Sequence, residues 1–183
     1  MISLITKIFY AFLFLSVFVN CSAGIQITSK NTQPSTGNIE SIYIAHNLIK
    51  KSIAEFLNKS FEKNGKQSTI NDTKSQNIDS LRNVALSNNS DYLIIIQDGE
   101  VEVKKSYRND DGIYRQNCQV FLFSQECDVE IYVVNISLYK ASDPLIYWNA
   151  KIEIGNAKGK KISEALIARM KEDRILNGQF KPY

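Results

Sequence analysis

The chain has 183 residues, a length that suits one folded domain of roughly 100 to 200 residues. Its apolar content of 44%, charged content of 22% and net charge of +3 exclude a wholly disordered chain and argue against nucleic-acid binding. His46 is the one histidine, which excludes a HExxH zinc site and every multi-histidine metal centre.

The first 20 residues have the pattern of a signal peptide. A single positive charge, Lys7, precedes an apolar run over residues 8–19. A spanning helix needs about 20 apolar residues, so this segment predicts export rather than a transmembrane anchor. Residues 1–20 are therefore predicted to be removed.

The residues that follow this run carry a resemblance. Phe18-Val19-Asn20-Cys21 is similar to a bacterial lipobox of the looser kind found in spirochaete lipoproteins, where the cysteine becomes the first mature residue and is acylated. The resemblance implies a membrane anchor of acyl chains on Cys21, since several chains make release negligible. By resemblance to the sorting rule of bacterial lipoproteins, Ser22 after the cysteine, rather than an acidic residue, favours the outer membrane, with the domain facing the periplasm or the cell surface. The alternative is that Cys21 is only a small apolar residue near the end of a signal peptide.

Residues 22–38 are poor in large apolar groups and rich in Ser, Thr, Asn, Gly and Pro. This composition is typical of a flexible linker. We therefore expect residues 21–38 to form the lipidated cysteine and a tether, and residues 39–183 to form a single domain.

The first half of that domain alternates between strands and helices. Residues 41–47 have a strand pattern, and helical spacing follows up to a stop at Asn64-Gly65. A short strand is predicted near residues 67–70 and a second helix over 77–88, with Leu81 and Ala85 inward. The run Leu93 to Ile96 is continuously apolar, which predicts a strand covered on both faces.

The second half predicts antiparallel strands and a closing helix. In the hairpin over residues 131–154, Tyr132, Val134, Ile136 and Leu138 share a face with Ile146, Trp148, Ala150, Ile152 and Ile154 by parity. A last helix is predicted from residue 162 to about 175. The sum is an α+β fold, with a mixed, mainly antiparallel sheet of about five strands and two or three helices packed on one face.

These elements resemble a group of bacterial envelope proteins. The chain is similar to the group that includes CsgG, the amino-terminal domain of TolB and LpoB. The similarity is found in the segment 89–95 after a helix, in the strand ending Leu138-Tyr139-Lys140-Ala141-Ser142-Asp143, in Leu145-Ile146-Tyr147-Trp148 and in a closing helix. The resemblance covers residues 40–176 and implies the same α+β fold. Because members of the group mostly bind or assemble other envelope proteins, it also implies a protein partner.

Cys118 and Cys127 remain after lipidation, and export places them where disulfides persist. A bridge closing the hairpin between them is worth roughly 2 to 3 kcal/mol on a chain-entropy estimate. The alternatives are two free thiols, or a metal or redox pair, which the lack of a CxxC motif disfavours. In the same hairpin Phe121 and Phe123 would form a partner surface if they project into solvent.

No motif predicts catalysis. His46 has no serine context of the GxSxG kind, and the loop over residues 155–161 has three residues between its glycines where a phosphate-binding loop needs four. We expect no enzyme activity, no metal and no cofactor. The sequence predicts a lipid-anchored envelope protein that binds or scaffolds another envelope protein; the alternative is a surface-exposed lipoprotein with an external or host ligand.

Overall fold

The computed structural model describes residues 25–32, 39–48, 51–73, 77–107, 118–121, 124–155 and 157–183. For residues 103–107, 118–121 and 124–130 the description is limited to the backbone. The predicted signal peptide and Cys21 lie outside the described residues.

Three helices and eight strands are described. The helices are α1 (Ser52–Lys63), α2 (Ile78–Ser87) and α3 (Gly159–Glu172). The strands are β1 (Ile25–Asn31), β2 (Ser41–Asn47), β3 (Gln67–Asp72), β4 (Tyr92–Asp98), β5 (Glu102–Tyr107), β6 (Cys118–Phe121), β7 (Ser124–Lys140) and β8 (Ile146–Ile154).

The strands form a mixed sheet in the order β1-β8-β7-β4-β2-β3, and β5 and β6 pair with β7 outside this path. Among the described strands only the pairs of β2 with β3 and with β4 are parallel, so the sheet is mainly antiparallel. The predicted α+β class is confirmed. The continuous path has six strands where the sequence predicted about five, because β1 was not predicted.

The sheet is covered on both faces. Helices α1 and α3 pack on one face over a large apolar core that includes Ile94 and Ile96. Helix α2 packs on the other face, where Leu81 and Ala85 meet Leu93. Because β4 is buried on both sides, its apolar run is continuous, as predicted.

The predicted tether needs correction over Ile25–Asn31, which form edge strand β1 paired with β8. The strand alternates half-buried and exposed residues, and Ile25 and Ile27 pack against the core. This segment holds too few large apolar residues to predict a strand by itself. Its apolar residues are covered only after β8 and α3 are in place, so the domain includes residues before 39.

The predicted hairpin of β7 and β8 is confirmed with one exception. Val134 is paired with Ile152 and Leu138 with Trp148, but the register shifts between Leu138 and Tyr139. The bulge places Ile146 on the α2 face, where it packs with Tyr139, instead of on the predicted face. A bulge inserts one residue and therefore reverses the parity beyond it.

The three described helices end in the same way. The residues after them have positive φ: Gly65 (70°), Asn89 (54°) and Arg174 (61°). In each case the next residue donates its N–H to a carbonyl five residues back, as in Ile175 to Met170 at 2.8 Å. Helix α3 spans Gly159–Glu172, so it begins and ends about one turn earlier than the predicted residues 162–175. The positive φ at Arg174 accounts for the earlier end.

The register defines one end of the sheet. Ile25, Ile154 and Tyr132 are paired in a row across β1, β8 and β7. We call this row the upper edge; α1 and α3 begin at this end of the sheet, because each follows a strand that ends there. None of the described helices is long and apolar enough to cross a bilayer.

Candidate functional site

Strand β7 has 17 residues and continues well beyond the upper edge. On one side of this extension β5 pairs with it, and on the other side β6 does: Glu126 is opposite both Tyr107 and Gln119. We call β5, β6 and residues 124–131 of β7 the arm. It is a three-stranded antiparallel ribbon in the order β5-β7-β6.

The arm projects from the body of the domain. Tyr132 is eight positions after Ser124, which corresponds to about 27 Å of strand. Neither β5 nor β6 pairs with any strand except β7 in the part of the chain that is described. The ribbon is therefore attached to the body through one strand and through the chain between β4 and β5.

The base of the arm has two defined contacts. Gly99 donates its N–H to the carbonyl of Val133 at 2.8 Å, and a Cβ on Gly99 would lie 2.8 Å from Val133 Cγ1. Lys151 of β8 contacts Glu102 at 2.5 Å and Glu153 at 3.6 Å. The hydrogen bond to Glu102 raises the pKa of Lys151. The first residue of β5 is thereby joined to β8 across β7.

The predicted site residues fall as follows. Cys118 and Cys127 occupy directly opposed positions in the β6–β7 register, so the backbone brings the two cysteines together. Phe121 is the last residue of β6 and is opposite Ser124, which places it at the tip of the hairpin. Phe123 and Cys21 lie outside the described residues.

His46 lies at the end of β2 and is 4% exposed. Its Nδ1 has no hydrogen-bond partner among the residues described. Burial lowers the pKa of His46, and the Asp72 carboxylate raises it to a smaller extent. Asp72 itself is in an ion pair with Lys51.

A polar cluster that the sequence did not predict joins β1, β8 and the end of α3. Asp173 Oδ2 accepts the Trp148 indole N–H at 2.7 Å and the Ser29 hydroxyl at 2.5 Å. Arg169 Nε donates to Ser29 Oγ at 2.6 Å, and an Arg169 terminal nitrogen lies 3.3 Å from Asp173 Oδ1. The one available signal was the inward parity of Trp148, because a buried indole N–H needs an acceptor.

Within the described ranges no cluster of three or more histidine, cysteine, aspartate or glutamate side chains could hold a metal ion. The Asp173 cluster fixes an edge strand, and His46 is enclosed by the core. The arm is the feature that extends away from the body.

Comparison with known proteins gives a likeness in structure only. No protein-family model and no curated protein sequence matches the chain. A PelC dodecamer from Paraburkholderia phytofirmans (space group P6) is similar over 84% of this chain and 99% of that chain, with 12% identity and a TM-score of 0.50. At this identity the likeness shows the fold alone.

Two further structures are similar to a lesser degree. A point variant of the PelC dodecamer from the same organism (space group C2) has 13% identity and a TM-score of 0.48, and covers 85% of this chain and 100% of that one. Lipoprotein GNA1162 from Neisseria meningitidis has 8% identity and a TM-score of 0.33, and covers 73% of this chain and 96% of that one.

Proposed function

We propose that this chain is an exported, lipid-anchored envelope protein that binds or scaffolds another envelope protein through its arm and has no enzymatic activity. The anchor part of the proposal is supported by the lipobox-like segment Phe18 to Cys21 after an apolar run of signal-peptide length. We propose the outer membrane as its location, because Ser22, and not an acidic residue, follows Cys21.

The observation that carries the partner-binding part is the arm. A ribbon that extends about 27 Å from the body gains little from the core, because each of its outer strands pairs with β7 only in the described part of the chain. Two- and three-stranded ribbons without a packed face are marginally stable in water. Such an element is retained more readily when a partner covers it. The sequence of this hairpin includes the aromatic residues Phe121 and Phe123.

The anchor is tested by expression with labelled fatty acid. We expect the wild-type protein to carry label and to sediment with membranes, and Cys21→Ser to lose the label and to leave the mature domain unanchored. A Cys21→Ser protein that sediments as firmly as the wild type, with neither form labelled, would overturn the anchor.

The partner surface is tested by site-specific photo-cross-linking in cells. A cross-linking residue at position 121 is expected to give an adduct of one defined mass, whereas the same residue at Leu86 is a matched control, since Leu86 is exposed on α2 at 47%. Phe123→Glu should abolish the adduct at 121 without changing the melting temperature. Equal adducts from positions 121 and 86 would contradict the proposal.

A further inference from the structure

We infer that α1 and the start of α3 form a binding groove for an extended segment of a partner protein, one with an aromatic residue followed by an acidic residue. In the free protein the chain's own residues 180–183 occupy this groove. We call these residues the tail and the groove that holds them the tail groove. This second interaction surface depends neither on the arm nor on the lipid anchor.

The amide of Asn64, at the end of α1, binds the backbone of Lys181 on both sides. Asn64 Oδ1 accepts the Lys181 N–H at 2.8 Å, and Asn64 Nδ2 donates to the Lys181 carbonyl at 2.7 Å. A residue of a neighbouring antiparallel strand makes the same two bonds to its partner. The amide therefore holds this position of the tail in an extended conformation.

Two further α1 side chains bond the backbone of the next two residues. Lys63 Nζ donates to the Pro182 carbonyl at 3.2 Å, and the buried Ser60 hydroxyl oxygen accepts the Tyr183 N–H at 2.9 Å. Because proline has no N–H, every backbone N–H and carbonyl of positions 181 and 182 has a partner on α1. Bonds to the main chain form with any extended segment, so they give affinity and leave specificity to side-chain pockets.

Phe180 is the side chain of the tail that enters a pocket. It is buried and lies edge-on to Phe61, with the two ring centres 5.0 Å apart. Lys181 and Tyr183, in contrast, are exposed. The groove therefore selects an aromatic residue at position 180 and accepts other side chains at the exposed positions after it.

The tail can leave the groove without a change in the helices. Residues 177–179, which connect it to the body, are exposed, and a turn in which Phe180 donates its N–H to the Asn177 carbonyl at 3.2 Å folds it back onto α1. Ile175 and Leu176, before this turn, are buried in the core. Of residues 177–183 Phe180 alone is buried, so a partner segment that supplies an equivalent aromatic residue can replace the tail.

The charge of the groove does not complement that of the tail. Lys59 Nζ and Lys160 Nζ lie 5.3 Å and 5.9 Å from the centre of the Tyr183 ring, and Lys63 bonds the tail backbone. None of these three lysines is in an ion pair with another described residue. The tail brings a fourth lysine, Lys181, to the same place.

The glutamates of the two helices leave most of this positive charge in place. At roughly 100° per residue, Glu55 and Glu62 lie about 140° and 160° around α1 from Ser60, on the side away from the tail. Glu172 is in an ion pair at the far end of α3, and Glu164, one turn into α3, is the carboxylate nearest the groove. An acidic residue at position 181 of an occupant would therefore complement the groove better than the tail does.

The experiment measures the binding of labelled, amidated peptides to the full mature chain in detergent by fluorescence anisotropy. The probe is the peptide of residues 179–183 with Lys181→Glu, and it is compared with the unchanged peptide and with a probe that also carries Phe180→Ala. We expect the probe to bind the protein variant Phe180→Ala with a Kd about tenfold or more below that for the wild type, because the tail of the variant competes less. The unchanged peptide should bind more weakly, and the peptide without the aromatic residue should not bind.

A pair of matched variants locates the binding site. In the Phe180→Ala protein, Asn64→Ala should abolish binding of the probe, since Asn64 makes both bonds to the position after the aromatic residue. Asn88→Ala is the control and should leave binding unchanged: Asn88 bonds the last turn of α2 at 2.8 Å, as Asn64 bonds that of α1 at 2.6 Å, but it does not contact the tail.

If Phe180→Ala does not fold, Lys181→Pro takes its place, because it removes the N–H that Asn64 accepts and changes no buried residue. Loss of this one hydrogen bond should tighten binding of the probe by about threefold or more. Equal Kd values for the wild type and the folded variant would overturn occupation of the site by the tail, and binding that survives Asn64→Ala would overturn its location. Equal affinities for lysine and glutamate at position 181 would overturn the acidic partner, and no binding of any peptide to a folded variant would overturn the groove itself.

Discussion

At the residue scale, the contribution of Gly65 to stability depends on its backbone conformation, and that of His46 depends on its protonation. Neither depends mainly on the apolar area that the residue buries. Gly65 ends α1 with a φ of 70°, and a Cβ at this position would meet no atom within 4 Å. The glycine is therefore required by its backbone angle and not by a close neighbour. His46 is buried beside a charged pair, with Nδ1 unpartnered among the described residues.

Gly65→Ala is expected to lower the free energy of unfolding by about 1 kcal/mol, because an L-residue is strained at positive φ. Urea denaturation measures the change. Gly178→Ala is the matched control, since Gly178 also has open space around its Cα but no positive φ. A loss at position 178 as large as that at 65 would contradict the explanation by backbone strain.

Stability should fall as the pH drops below the ordinary histidine pKa of about 6.5. Because burial lowers the pKa of His46 in the folded state, the unfolded chain binds the proton more tightly, and the fold loses stability from that pH downward. One group contributes a slope of at most about 1.4 kcal/mol per pH unit. Urea midpoints between pH 7.5 and 5.5 should fall more steeply in the wild type than in His46→Gln; parallel curves would refute the role of His46.

At the scale of elements, β1 depends on side chains that come from the far end of the chain. The Ser29 hydroxyl and Asp173 are separated by 144 residues in sequence. Asp173 also accepts the Trp148 indole N–H, and the Asp173 side chain is 15% exposed. A single carboxylate therefore joins an edge strand, its neighbour β8 and the end of α3.

Asp173→Ala should lower the free energy of unfolding by about 2 to 3 kcal/mol, because it leaves a buried indole N–H without its acceptor and removes one of the two carboxylates paired with Arg169. It should also make β1 more sensitive to a protease in limited digestion. Glu172→Ala is the neighbouring control: the Glu172 side chain is 66% exposed, and its loss should cost less than about 0.5 kcal/mol. Similar effects of both substitutions would show that the cluster does not stabilise β1.

At the scale of the whole molecule, the arm and the body are separable. The body contains the described core on both faces of the sheet, whereas the arm is attached through β7 and the chain after Gly99. Directly opposed residues in an antiparallel pair have Cα atoms about 4.5 to 5.5 Å apart, which is within the range for disulfides. The register of Cys118 and Cys127 is thus compatible with the predicted bridge.

We expect the exported protein to contain a Cys118–Cys127 disulfide that stabilises the arm and not the body. The intact mass of the exported protein should be lower than that of the reduced chain by two hydrogens. A thiol oxidant in the compartment to which the protein is exported accepts these two hydrogens. Reduction should accelerate proteolysis within the arm but leave the melting temperature of the body unchanged, and Cys118→Ser with Cys127→Ser should reproduce the reduced form. Two alkylatable thiols in the folded, exported protein would rule the bridge out.

Much of the body could be predicted because its signals are local. Continuous apolar residues predicted that β4 is covered on both faces, and Asn64-Gly65 predicted the end of α1. Within the candidate site, the sequence placed Cys118, Phe121 and Cys127 in one hairpin of a run of antiparallel strands. The lipobox-like segment remains a prediction of the sequence, since it lies outside the described residues.

The sequence by itself determined most of the inward-facing residues and the ends of α1 and α2, because side-chain periodicity and backbone sterics act over a few residues. Only the tertiary structure decided that residues 25–31 are a strand, that α2 lies opposite α1 and α3, and that the arm leaves the upper edge. Each of these depends on pairing between distant segments, such as β1 with β8 or Ser29 with Asp173. Such pairing depends on the apolar surface and the strand edges that the rest of the fold offers to each segment. A pattern within the segment itself does not contain that information.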